Sequence, residues 1–105
     1  MIGNAYTQKT LSFGTGKTWS AVTNGQAREQ TVTVPGLRTT DVILRVKKPT
    51  EQDDLFVAGY RVSAADTLSI QWANVSAAPI TPTALEEYEL TILRVERPLE
   101  NHAFA

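Results

Sequence analysis

The sequence contains no cysteine, a single histidine and no long apolar run. The absence of cysteine excludes disulfide bonds and thiolate metal sites, and one histidine alone argues against a zinc site. No stretch approaches the roughly 18 apolar residues of a membrane span, and the first ten residues lack the pattern of a signal peptide. Ten basic residues stand against eleven acidic ones with no block of like charge, which argues against a nucleic-acid-binding or anionic-membrane surface.

What the chain does contain is short alternating apolar runs, rich in β-branched and aromatic residues and separated by turns. Its 105 residues correspond to one domain. No segment within residues 31–73 has the spacing of an amphipathic helix. Strands are predicted at residues 28–34, 41–47, 55–62, 67–73 and 87–96. This spacing predicts an all-β protein, a compact antiparallel β-sandwich (jelly-roll-like or immunoglobulin-like) of about six to eight strands with an extended N-terminal arm.

Within each predicted strand, alternation places the apolar residues on one face. The residues that share these faces are Val32, Val34, Val42, Leu44, Val46, Phe56, Ala58, Tyr60, Val62, Leu68, Ile70, Trp72, Tyr88, Leu90 and Ile92. Gly59 indicates a bulge or a close backbone approach. At the end of the last strand, Leu93 and Val95 move the apolar positions to the opposite face, which a bulge or an intersubunit contact would explain.

The two ends of the chain are less regular than its centre. Residues 4–13 suit either an extended arm or an edge strand, and residues 19–23 suit a short strand before the Asn24-Gly25 turn. The link at residues 74–83 contains two prolines, which make it stiff enough to carry the chain from one sheet to the other. The expected division is 1–27 for the arm and first strands, 28–97 for the sandwich core and 98–105 for a tail.

No catalytic constellation is found, so neither enzymatic activity nor a cofactor or metal ion is expected. The GTGKT at residues 14–18 lacks the earlier glycine and the following helix of a phosphate-binding loop, which favours a plain turn. His102 has no positioned partner for a general base. The loop at residues 51–54, with Glu51, Asp53 and Asp54, lacks the glycine and ligand spacing of a calcium loop. Glu87 and Glu89 are neighbours on one face, which favours a solvated surface over a glycosidase pair.

The aromatic residues are the remaining candidates for a binding surface. Those predicted to pack in the core, because they alternate in phase with aliphatic residues, are Tyr60, Trp72 and Tyr88. Tyr6 and Trp19 fall outside the regular strands, and aromatic residues are enriched at interface hot spots. Together with Leu11 and Phe13 they are predicted to anchor an intersubunit or partner contact. The N-terminal arm is also suited to adding a strand to a neighbour's sheet edge.

The strands are joined by distinctive turn and loop motifs. These are Val34-Pro35-Gly36, Lys48-Pro49, Arg61-Val62-Ser63-Ala64-Ala65-Asp66-Thr67, Ala77-Ala78 and Ile80-Thr81-Pro82-Thr83. They resemble the motifs of small β-sandwich virion proteins of tailed bacteriophages, a family that includes capsid decoration (cement) proteins and other virion accessory proteins. The resemblance spans residues 30–95 and implies a structural, non-enzymatic role.

On this resemblance, the leading expectation is a cement protein that binds the outer surface of the mature head and stabilises contacts between capsomers. It would be made in the bacterial host cytoplasm. The implied partners are the major capsid protein and further copies of the chain, as a homotrimer, with neither nucleic acid nor membrane. The alternatives are a tail, fibre, baseplate or neck protein of the virion and, from another class, a carbohydrate-binding module that stacks sugars on Trp19 or Trp72.

Overall fold

A computed structural model describes residues 4–98, and of residues 4, 5 and 96–98 it describes the backbone alone. Across these residues there are strands and no helix. The strands are β1 (Asn4–Phe13), β2 (Ala27–Thr33), β3 (Val42–Lys47), β4 (Leu55–Ala64), β5 (Thr67–Asn74) and β6 (Tyr88–Pro98). They form two antiparallel three-stranded sheets, which confirms the predicted β-sandwich. His102 and the rest of the predicted tail after Pro98 lie outside the described residues.

The strand order is β1-β6-β3 in the first sheet and β2-β5-β4 in the second. Only β4 and β5 are joined by a hairpin, and its two-residue turn has Asp66 in the left-handed conformation, at a φ of 61°. The other connections cross between the sheets. They include residues 75–87, the proline-containing link, which carries the chain from β5 to β6 as predicted.

The core is built from the two central strands. Their fully buried hydrophobic residues are Leu68, Ile70 and Trp72 of β5 and Tyr88, Leu90 and Ile92 of β6, all at the positions that alternation predicted. From β2 and the residue after it, Val32 and Val34 join the same cluster. Burying an aliphatic or aromatic side chain of this size contributes about 1.5–3 kcal/mol relative to leaving it exposed. These rows therefore supply most of the driving force that holds the sheets together.

The predicted faces of β3 are wrong because the strand contains a bulge. Its register against β6 shifts between Ile43 and Arg45, so that Leu44 is the extra residue. A bulge inserts one residue and reverses the alternation beyond it. Val42 and Leu44, expected in the core, are 50% and 47% exposed, whereas Ile43 and Val46 pack against the core.

A bulge also divides β4. The register shifts between Val57 and Gly59, which confirms the irregularity predicted near that glycine. Before the bulge, Leu55 and Val57 face the core and Phe56 is 55% exposed, contrary to its predicted place on the apolar face. After the bulge, Tyr60 pairs with a buried residue of β5, but its edge position leaves it 39% exposed, so it is not a core residue.

The N-terminal segment forms an edge strand and not a detached arm. β1 pairs with β6 along its whole length, from Asn4 opposite Pro98 to Phe13 opposite Tyr88. The short strand predicted at residues 19–23 is reduced to a single bridge between Val22 and Ile80. The Asn24-Gly25 turn is present, closed by a 3.1 Å hydrogen bond from the Gln26 amide to the Thr23 carbonyl, yet the segments beside it do not pair as a hairpin.

The apolar switch at the end of β6 also has a structural explanation. The inner face of the strand continues past Ile92 to Arg94, which is buried and ion-paired with Asp41. Leu93 and Val95 therefore keep the regular alternation and lie on the outer face. The one irregularity of the β1-β6 ladder comes later, at Glu96, since Tyr6 is opposite Val95 and Ala5 is opposite Arg97.

Candidate functional site

An apolar patch lies on the outer face of the first sheet. We call it the outer patch, and it comprises Tyr6, Val42, Leu44, Leu93 and Val95. Register brings these residues together, because Val42 is opposite Leu93 and Tyr6 is opposite Val95, and opposed residues share a face. Tyr6, Val42 and Leu44 are 53%, 50% and 47% exposed, and the other two are half-buried.

Along β6, the character of this outer face changes from apolar to polar. The rows beyond Leu93 consist of polar and charged residues, namely Thr10, Thr91 and Arg45, then Ser12, Glu89 and Lys47. The outer patch thus ends at a defined row of the sheet. An apolar patch with a polar border is typical of a protein-interaction surface.

The outer face of the second sheet is organised differently. Arg61 of β4 reaches across the central strand to Glu29 of β2, with 2.9 Å between Arg61 Nε and Glu29 Oε2. The hydrogen bond and charge of Arg61 lower the pKa of Glu29, although both side chains are exposed. Beneath them Ser69 is buried and bonded to Ser63. An ion pair therefore crosses this face, whereas the outer face of the first sheet carries the apolar outer patch.

The four predicted contact residues divide into two pairs. Tyr6 belongs to the outer patch, and Leu11 is half-buried and packs against the core. Phe13 and Trp19, by contrast, are 4% and 6% exposed and belong to the core, so they are unavailable to a partner. The prediction of a partner contact therefore stays open for Tyr6 and Leu11 alone.

Phe13 and Trp19 are buried because they complete an aromatic cluster around Tyr88. The ring centroid of Tyr88 lies 5.1 Å from that of Phe13, 5.8 Å from Trp19 and 6.4 Å from Trp72, and the two tryptophans meet edge to face at 5.3 Å. Such contacts contribute about 0.5–1.5 kcal/mol beyond area burial. Because both tryptophans are enclosed, neither offers the sugar-stacking platform of the carbohydrate-binding alternative.

Val42 and Leu44 are the surface residues that strand alternation missed. Regular alternation predicts both in the core, since a β3 without a bulge would turn its apolar face inward. The available signal was the pair Leu93 and Val95, which marks the outer face of the neighbouring strand as apolar. Only the pairing of β3 with β6 connects the two observations.

A buried ion pair ties the loop after β2 to β6. Arg94 donates to both carboxylate oxygens of Asp41, at 2.8 and 2.7 Å, and to the Gly36 carbonyl at 2.7 Å. The Arg38 amide donates to Asp41 Oδ2 at 2.9 Å. The hydrogen bond from Arg94 lowers the pKa of Asp41, against the opposing effect of burial. With every carboxylate contact satisfied, this pair is a structural clamp.

A second, partly buried group joins the loop after β3 to the start of β6. Lys48 donates to Glu86 Oε1 at 2.9 Å, and Thr50 donates to Glu86 Oε2. Burial by itself raises the pKa of Glu86, but the hydrogen bonds from Thr50 and Lys48 outweigh it and lower that pKa. Burial, together with the charge of Glu86, raises the pKa of Tyr88 above its usual value. This arrangement favours an ionised carboxylate and a neutral phenol, neither of which is poised to exchange a proton near neutral pH.

The GTGKT segment forms a turn, as predicted. The Lys17 amide donates to the Gly14 carbonyl at 2.9 Å, and no helix follows. A groove of about 380 Å³ lies between this turn and β2. Lys17 is the charged residue of its lining, and its ammonium lies 5.1 Å from the centre of the Trp19 ring. The groove therefore presents no cluster of donors comparable to a phosphate-binding loop.

The sequence Asn74-Val75-Ser76 matches the N-glycosylation pattern, but its asparagine has a structural role. Asn74, the first residue of the glycosylation-like Asn-Val-Ser, is buried and donates to the Val22 and Ala78 carbonyls at 2.9 and 2.8 Å. It is therefore inaccessible to a glycan in the folded protein. In the described part of the chain, no three His, Cys, Asp or Glu residues come close enough to hold a metal ion.

Comparison with other proteins leaves the outer patch as the main guide to function. No protein-family model, curated protein or solved structure matches this chain. Between residues 4 and 98, no helix is long and apolar enough to cross a membrane. The candidate site is therefore the outer patch, which sheet pairing defines.

Proposed function

We propose that this protein is a structural component of a tailed-phage virion, a capsid decoration (cement) protein that catalyses no reaction. Its place is the outer surface of the mature head, where it stabilises contacts between capsomers. The virion assignment rests on the turn and loop motifs between residues 30 and 95, which resemble those of small virion β-sandwich proteins. Three copies form the assembly that this resemblance implies.

The outer patch is the structural observation that supports a binding role. A small domain stabilises itself by burying its apolar side chains, yet this one leaves Tyr6, Val42 and Leu44 about half exposed on one face. On a monomer, contiguous apolar patches of this kind are commonly functional. The proposed occupant of the outer patch is the major capsid protein, whose surface would cover these residues on the assembled head.

The proposal is tested with a double variant, Val42→Ser and Leu44→Ser, in a pelleting assay with expanded heads that lack the protein. Each truncated side chain is already half exposed, so folding is retained. If each loses about 1 kcal/mol of binding, the dissociation constant rises about 30-fold. The matched control is Phe56→Ser, which removes a side chain of similar exposure, 55%, from the outer face of the other sheet.

Equal binding by the double variant and the control would refute the outer patch as the contact. Failure of the wild-type protein to pellet with heads, combined with binding to purified tails, would refute the head assignment and support the tail, fibre, baseplate or neck alternative. Circular dichroism of each variant separates loss of binding from loss of fold.

A further inference from the structure

Each three-stranded sheet has two edge strands, so the sandwich presents four: β1, β2, β3 and β4. An edge exposes backbone groups to neighbouring chains, and proteins obstruct such edges with bulges, charges or covering segments. On β3 the obstruction is the bulge at Leu44, followed by the charged Arg45 and Lys47. β4 has two register shifts, at residues 57–59 and 62–64.

β2 is obstructed by a covering segment. The Gln30 side chain bonds both backbone groups of Ser20, accepting from its amide at 2.7 Å and donating to its carbonyl at 2.9 Å. Arg28 donates to the Ala21 carbonyl at 3.1 Å. These bonds hold residues 20–21 against β2, and an added strand would have to pack beside this segment as well as beside β2.

Among the described residues, β1 has no bulge of its own and no covering segment, and a single charged side chain is the one such device that it carries. It is ten residues long and contains no proline, and the extra residue of its only register shift belongs to β6. Its one charged residue is Lys9. Among the described strands, only β6 pairs with it. A long edge with little charge is a template for strand addition.

We propose that this edge pairs with β1 of a second copy of the chain, joining the two first sheets into one continuous six-stranded antiparallel sheet. The other three edges are obstructed, so a head-to-tail contact lacks a second open edge. The one open edge must then meet itself, which requires a two-fold axis. This inference does not depend on the virion assignment.

The two longest same-face registers of β1 pair nine residues each, and the side chains favour one of them. Along two antiparallel copies of β1, the residue numbers of each opposed pair add up to the same sum, and this sum identifies the register. With a two-fold axis perpendicular to the sheet, opposed residues must share a face, so the sum is even. A sum of 18 would place Lys9 opposite its own copy, and like charges directly opposed are destabilising. A sum of 16 places Gln8 opposite Gln8, Tyr6 opposite Thr10 and Thr7 opposite Lys9 of the second copy. That register pairs residues 4–12 without any opposed like charges.

This register also aligns the outer patches of the two copies. Val42, Leu93 and Gln8 form one row of the first sheet, and Gln8 joins that row to the same row of the second copy. Both outer patches then lie on one face of the six-stranded sheet. The contacts of a trimer would use surfaces other than the β1 edge. The β1–β1 pairing can therefore be tested whatever the total number of copies in the assembly.

The absence of cysteine makes cross-linking a direct test. In the proposed register, the Cα atoms of the two residues at position 8 lie about 5 Å apart, within the reach of a disulfide. Those at position 10 are offset by four residues, or about 13 Å, and cannot be bridged. Both side chains are exposed, so neither substitution disturbs the fold. We expect Gln8→Cys to form a covalent dimer on mild oxidation and Thr10→Cys to remain uncross-linked.

Charge substitution provides a second test that does not depend on disulfide formation. Gln8→Glu places two carboxylates opposite each other and should weaken the dimer several-fold by analytical ultracentrifugation, whereas Thr10→Glu, opposite Tyr6, should not. Mixing Gln8→Glu with Gln8→Lys should restore association. A monomeric wild-type protein, or a trimer that gives no cross-link at position 8, would overturn the pairing. Neither result affects the outer-patch pelleting assay, so the two proposals fail separately.

Discussion

Replacing Arg94 with methionine is expected to produce one of the largest losses of stability that a single substitution can cause in this protein. Asp41 would remain buried and charged without its partner. Removing one member of a buried ion pair typically costs about 3–5 kcal/mol. At a urea dependence of about 1.3 kcal/mol per molar for a chain of this size, the unfolding midpoint falls by about 3 M.

The double variant Arg94→Met, Asp41→Asn should recover most of that loss. The asparagine amide oxygen can still accept the hydrogen bond that Arg38 donates to Asp41. The Gly36 carbonyl loses its donor, Arg94, and an unsatisfied buried group costs about 1–3 kcal/mol. We therefore expect the double variant to be less destabilised than Arg94→Met alone, and far less than the sum of the two single variants.

The assay is urea unfolding followed by the fluorescence of the two buried tryptophans. The pH dependence gives an independent check. Because the folded-state pKa of Asp41 lies below its unfolded value, the ion pair contributes fully above the unfolded value, about 3.9, and its contribution is lost as the pH falls through the folded value. The stability gap between wild type and double variant should therefore narrow below about pH 4. Additive single variants, or a gap independent of pH, would refute the clamp.

Two further substitutions test the packing around Tyr88. Gly14→Ala is expected to lower the free energy of unfolding by about 2 kcal/mol, since Gly14 has a φ of +92° and an added Cβ would lie 2.9 Å from the Glu86 carbonyl oxygen. The control Gly16→Ala, with open space around it, should change the urea midpoint little, and equal effects of the two variants would contradict this explanation. Tyr88→Phe is expected to raise stability by about 1 kcal/mol in thermal unfolding, because the buried phenol makes no hydrogen bond of normal geometry among the described residues. A loss of stability would contradict that reasoning.

The fold class followed from the sequence because alternation is a local property. Leu68, Ile70 and Trp72 repeat every second residue, and a strand with that period can bury only one face. The same holds for Tyr88, Leu90 and Ile92, so both central strands were correctly assigned. The turn at Asn24-Gly25 and the sheet-crossing link were also readable, since glycine and proline restrict the backbone wherever they occur.

Tertiary structure alone decided which side chains are available to a partner. A bulge exists only relative to a paired strand, so the reversal at Leu44 is invisible until β3 lies beside β6. Trp19 is buried because residues far along the chain close around it, and Arg94 is neutralised by Asp41, 53 positions earlier. Alternation along one strand assigns its two faces, whereas pairing and long-range packing determine which of those faces meets the core. For this protein, the local pattern was therefore enough to predict the β-sandwich, whereas the outer patch and the open edge of β1 could be identified only from the pairing of the strands.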